Sequence, residues 1–153
     1  MSLFTKGTLL ALVATVALAG CASDTTAEDE EDVGGTEDAL LAGRLYTPAA
    51  VADLLRGAGF DESDVGPMVC TAKYESSFFE RATNKNKNGS IDRGLFQINS
   101  IHLKEGGCPA TGEAVFPAQA NVKCARTIFK SQGIRAWYGY RKHKAECDRF
   151  AAP

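Results

Sequence analysis

Two carboxylates seventeen positions apart, Glu75 and Asp92, sit in contrasting sequence surroundings. Glu75 falls on the apolar stripe traced at helical spacing by Met68, Ala72 and Phe79, where a core residue belongs. A carboxylate there either snorkels out to solvent or sits in an apolar pocket. In the pocket, desolvation raises its pKa and keeps it protonated near neutrality, which makes it a candidate general acid. Asp92 instead lies among amides: Asn84, Asn86, Asn88, Gln97 and Asn99 all fall within fifteen residues of it. Amide donors stabilise a carboxylate's negative charge, and amides also suit sugar hydroxyls and acetamido groups. Surroundings that drive two carboxyl groups apart in acidity divide acid and nucleophile duties, as glycoside hydrolysis requires.

The segment NKNKNGSIDRGLFQINS, Asn84 to Ser100, admits two readings. As a calcium loop it is poor, because its first three ligand positions are neutral Asn and its twelfth is Leu95 rather than Glu. Asn88-Gly89 is instead a strong hairpin signal. A two-residue loop would set Lys85 opposite Asp92. A three-residue Lys87-Asn88-Gly89 loop, with Gly89 left-handed, would set Asn84 opposite Asp92 and Asn86 opposite Ser90, and this register is preferred. It gathers Asn84, Asn86 and Asp92 on one face. Beyond Gly94 a third strand is expected to alternate, with Gln97 and Asn99 joining that face and Phe96 and Ile98 on the other.

These residues need elements to hold them. Thr47-Pro48 begins a helix with a hydroxyl cap and proline at the first position, and Gly57 to Gly59 end it. A second helix is expected from about Asp64 to Phe79, carrying Glu75 near its end.

The chain of 153 residues, 44% apolar, has room for one compact domain and a tail. Residues 1–20 read as an export signal: a largely apolar run of eleven, Leu9 to Ala19, is well short of the ~20 residues that span a bilayer. Leu18-Ala19-Gly20-Cys21 looks like the lipobox of bacterial lipoproteins, with Cys21 as the lipidated first residue. The implied localisation is export and lipid anchoring to a bacterial membrane, in the periplasm or at the cell surface. Lipidation also removes the odd one of five cysteines. The remaining Cys70, Cys108, Cys124 and Cys147 suggest two disulfides in an oxidising compartment, with three pairings open to composition alone.

Residues 21–43 read as an acidic, disordered tether: Asp24 to Asp38 holds eight acids and no base. Of the chain's 17 bases and 19 acids, 16 and 11 fall in residues 43–153, a formal +5. The domain, residues 44–153, would thus be drawn to polyanions such as bacterial cell wall or nucleic acid. It lacks the motif or aromatic array of a nucleic-acid-binding module. His102 and His143 are too isolated for a zinc motif, and neither a metal nor a cofactor is expected.

Cys70-Thr-Ala-Lys-Tyr-Glu75-Ser-Ser-Phe, Ala82-Thr-Asn-Lys-Asn86, Asn88-Gly-Ser-Ile-Asp92 and Gly94-Leu-Phe-Gln-Ile-Asn-Ser100 together resemble the heart of a C-type lysozyme. Asn121-Val-Lys-Cys124-Ala and Gly133-Ile-Arg-Ala-Trp137 resemble that family's third helix and cleft-tryptophan segment. The resemblance runs from about Gly43 to Cys147. It implies an α+β fold, with a helical lobe, a small three-stranded antiparallel sheet and a cleft between them. It implies a monomeric muramidase acting on β-1,4 linkages in peptidoglycan by retention, with Glu75 as general acid/base and Asp92 as nucleophile or stabiliser. Lysozyme is the type case of that division of labour, so these roles are inherited from the family. The resemblance also places Trp137 against Glu75 as an apolar wall, although a lone Trp is by itself an ordinary core residue. Asn84, Asn86, Gln97, Asn99 and Ala136 would line the sugar sites, and Cys70 would pair with Cys147 and Cys108 with Cys124.

The departures are specific. The family's bridge between the chain ends is missing. Ile101-His102-Leu103 stands where the family carries a pair of tryptophans, which removes sugar-stacking surface, and Arg93 replaces the tyrosine after the aspartate. Phe116 to Asn121 lacks the aspartate cluster of the family's calcium-binding branch. The alternative function is a non-catalytic, lysozyme-like binding or regulatory lipoprotein. Such proteins usually lose one of the two carboxylates, and this chain has both.

Overall fold

A computed structural model describes residues 42–153. The signal segment, Cys21 and nearly all of the acidic tether lie outside the described residues. Among those described, no helix is long and apolar enough to cross a membrane.

Helix α1, Pro48–Gly57, starts where the sequence directs: Thr47 Oγ1 accepts the Ala50 amide at 3.2 Å and proline occupies the first turn. It buries Val51, Ala52 and Leu55. Helix α2, Glu62–Ser76, buries Val65, Met68, Val69, Cys70 and Ala72. Glu62 and Asp64 in its first turn complement the helix dipole. Gly66 lies under the C-terminal segment, where a methyl group would overlap the Phe150 carbonyl.

Helix α2 ends at Ser76, three residues before the expected Phe79. Ser77 and Phe78 take left-handed conformations, φ +51° and +66°. Tertiary hydrogen bonds hold this unfavourable turn: Tyr46 N donates to Phe78 O at 3.0 Å, and Glu80 N to Arg44 O at 2.9 Å. Glu75 therefore stands in the last turn of α2.

The chain then forms an antiparallel sheet of β1 (Thr83–Lys85), β2 (Ile91–Arg93) and β3 (Ile98–Asn99), in that order. Asn84 faces Asp92 across the first pair, and Asp92 faces Asn99 across the second. The hairpin closes with Asn86 N donating to Ser90 O at 2.9 Å and Gly89 at φ +84°. This is the three-residue-loop register. The third strand is shorter than expected, because Gly94 to Gln97 turns instead of extending, with Gln97 itself at φ +45°.

Helix α3, Ala118–Gln132, packs Val122, Ala125 and Ile128 into the same core as Leu95, Phe96 and Ile98 from the sheet side. Short helices α4 (Tyr138–Lys142) and α5 (Lys144–Cys147) return across α2. Disulfides Cys70–Cys147 and Cys108–Cys124 tie α2 to α5 and the loop after the sheet to α3. The fold is α+β, a helical lobe beside a small sheet, with the two bridges that the resemblance implied.

Candidate active site

Glu75 and Asp92 both line one groove between the helical lobe and the sheet, and they line both of its halves. One half is walled by Ile98, Asn99, Ile101, His102, Ala136 and Trp137. The other is walled by Ser76, Ser77, Thr83, Asn84 and Asn86.

Glu75 is half-buried and does not snorkel free. Its Oε1 accepts the backbone amide of Gly139 at 2.7 Å. Burial pushes its pKa above the ordinary glutamate value, and the Asp92 charge adds to the rise; the Gly139 amide and the Arg141 guanidinium act against it. Gly139 leaves room for this contact, since a Cβ there would lie 2.9 Å from Oε1 and 3.0 Å from Tyr74 Cβ. Nearby Trp137 is buried, its Nε1 donating to Phe96 O at 2.9 Å and its ring meeting Phe96 edge-on at 6.1 Å.

Asp92 is held by three asparagines. Asn99 Nδ2 donates to Oδ1 at 2.6 Å, while Asn86 and Asn84 donate to Oδ2 at 2.9 and 3.2 Å. Ser90 Oγ links this set, accepting from Asn86 at 3.1 Å and Asn99 at 3.0 Å. The pairing of strands delivers the donors: β1 brings Asn84 opposite Asp92, and β3 brings Asn99.

Gln97 lines both halves of the groove but does not join this set. Its Nε2 donates to the Ala82 and Gly94 carbonyls, both at 3.0 Å. Its left-handed turn takes it off the alternation expected of a strand. Ala136 lines the groove, and its carbonyl accepts from Arg141 Nη1 at 3.0 Å.

Sequence reasoning gave no site role to Asn121, Tyr138, Gly139 or Ser90. Asn121, fully buried on α3, accepts from Phe96 N at 2.9 Å and donates to the Arg93 and Val115 carbonyls, each at 2.9 Å. It fixes the turn that links Asp92 to the helical lobe. Gly94 allows this approach, because a Cβ there would overlap the Asn121 amide. The one sequence signal for Asn121 was a short polar side chain one turn into a helix that otherwise buries that stripe.

A second hollow, lined by Arg44, Tyr46, Leu54 and Lys123 beside α1, has Asp53 as its one carboxylate and so offers no facing acid pair. Among the described residues no group of His, Cys, Asp and Glu is arranged to hold a metal ion.

Residues 45–150 match the model of the C-type lysozyme/alpha-lactalbumin family. Lysozyme c-1 of Anopheles gambiae is 33% identical over 112 residues, covering 69% of this chain and 80% of its own. The lysozyme of Bombyx mori is 34% identical over 108 residues, covering 65% of this chain and 79% of its own. That of Galleria mellonella is 36% identical over 109 residues, covering 65% and 90% respectively.

Proposed function

Because this chain belongs to the C-type lysozyme/alpha-lactalbumin family, we propose that it is a muramidase, hydrolysing the β-1,4 links between N-acetylmuramic acid and N-acetylglucosamine in peptidoglycan. The observation that carries this reading is the pair of unlike carboxylates on one groove: a half-buried Glu75 with its acidity suppressed, and an Asp92 surrounded by amide donors.

In this mechanism Glu75 protonates the glycosidic oxygen as the bond to the anomeric carbon breaks. Asp92 attacks or stabilises the positive charge that develops at that carbon. Glu75, now a carboxylate, takes a proton from the water that completes hydrolysis and so regains its starting form. The anomeric configuration is retained, as in the type case of the family. Trp137 excludes water beside the acid, while Asn84, Asn86, Asn99, Gln97 and Ala136 shape the groove for the sugars.

Glu75→Gln removes the transferable proton, and Asp92→Asn removes the compensating charge. A protein beginning at Ala22 should clear a suspension of bacterial wall; Glu75→Gln should abolish clearing, and Asp92→Asn should weaken it severely. If wild type and both variants leave the suspension equally turbid, the non-catalytic binding reading replaces this one.

The proposal extends to residues 1–43: signal removal before Cys21, acylation of Cys21, and a monomer displayed on an acidic segment. Mass spectrometry of the mature N-terminus should find an acylated Cys21, and a bare thiol would rule that out. A single acyl chain anchors only marginally, so stable attachment needs the several chains of a lipoprotein.

A further inference from the structure

We propose that Tyr138 is the platform on which a sugar ring stacks where the two halves of the groove meet. This inference rests on the muramidase reading and assigns to the helical wall the stacking surface that the sheet-side wall lacks. Among the described residues the exposed large apolar side chains are Leu45, Ile101 and Tyr138, and the latter two line the groove. The two are single residues rather than one apolar patch, so position rather than apolar area singles out Tyr138. Tyr138 is also one of four residues that line both halves, with Glu75, Asp92 and Gln97. It therefore stands beside the acid pair, where the sugars on either side of the scissile bond must lie.

Its position is fixed from both sides along the chain. Trp137 is buried and bonded to Phe96 O, and the Gly139 amide is bonded to Glu75. Yet Tyr138 between them is 65% exposed. The Arg141 guanidinium lies 5.8 Å from its ring centroid and is itself anchored on the Arg135 and Ala136 carbonyls at 2.6 and 3.0 Å. A braced aromatic ring facing a polar groove matches a pyranose, which has an apolar C–H face and a hydroxyl rim. Across the groove, Ile101 has no flat face, and the His102 ring is largely covered and paired with Glu105 at 3.0 Å.

The test uses a β-1,4-linked N-acetylglucosamine oligomer as probe, bound to the Glu75→Gln protein so that it is not consumed. Calorimetry should show binding weakened about tenfold by adding Tyr138→Ala and changed less than about twofold by Tyr138→Phe. With Glu75 intact, Tyr138→Ala should raise KM for cell wall and leave kcat and the pH profile in place. Equal binding by the alanine variant, equal losses in alanine and phenylalanine variants, or a shifted pH profile with unchanged KM would each overturn the stacking role. Failure of the Tyr138-intact proteins both to bind oligomer and to clear wall would remove the muramidase reading, and this inference with it.

Discussion

Glu75 and Gly139, 64 residues apart in the chain, meet through one hydrogen bond of 2.7 Å that joins the last turn of α2 to the first turn of α4. The bond aims the carboxyl into the groove, and glycine is the residue that lets the backbone come so near. Gly139→Ala would press a methyl group against both Glu75 and Tyr74. The expected result is a fall in kcat of about tenfold, because the overlap asks for a shift smaller than the full ångström that costs about a hundredfold. Turbidity kinetics should show it in a protein whose circular dichroism still reads as folded.

The raised pKa of Glu75 has consequences in two directions. Its protonated form persists above the ordinary glutamate range, so the alkaline limb of the rate profile should lie above ~4.3, the unperturbed value. Stability follows the same sign. A folded-state pKa above the unfolded one means the favourable contribution is present below the unfolded pKa and is lost as pH rises through the folded pKa. Glu75→Gln should therefore raise the melting temperature at pH 7 by more than at pH 3.5. An equal shift at both values would mean that Glu75 is not desolvated in solution.

Asp92 is served unequally. Asn99 is the side chain on Oδ1, whereas Asn84 and Asn86 share Oδ2. Asn99→Ala should lower kcat by about tenfold to a hundredfold, and Asn84→Ala by only a few fold. Wall-clearing rates measured side by side decide it, and equal losses would show that the short Asn99 contact carries no special weight.

Asn121 satisfies three backbone groups at once. Asn121→Leu would leave Phe96 N–H and the Arg93 and Val115 carbonyls without that partner, at a cost of about 3 kcal/mol. Gly94→Ala should be comparably harmful, since its methyl would overlap the same amide from a backbone at φ +78°. Denaturant melts should show both variants destabilised, while Gly57→Ala, which meets open space, should not be.

The sequence was most readable where one local rule dominates. Asn88-Gly89 specified the hairpin, which in turn placed Asn84 opposite Asp92. Thr47-Pro48 specified the start of α1, whereas the apolar stripe under Glu75 left open whether its carboxyl snorkels to solvent or is buried, and the structure half-buries it. Local rules failed where distant segments decide the backbone. Phe79 continued the helical period, yet the bonds from Tyr46 N to Phe78 O and from Glu80 N to Arg44 O hold Ser77 and Phe78 out of the helix. Gln97 continued the strand alternation, yet its side chain bridges two carbonyls of the turn it sits in. Tyr138 and Gly139 lie in a run of aromatic and basic residues in which no spacing says which ring faces the groove.

The bridge made by Asn121 sets the mechanical character of the groove. One buried amide fastens the turn beyond Asp92, the Phe96 segment and the Glu113–Val115 turn to the same helix, so the sheet-side wall of the groove is keyed to α3. On the muramidase reading, the sugar sites beside Asp92 inherit their spacing from that helix, so a change at Asn121 would be felt in the groove without touching either carboxylate.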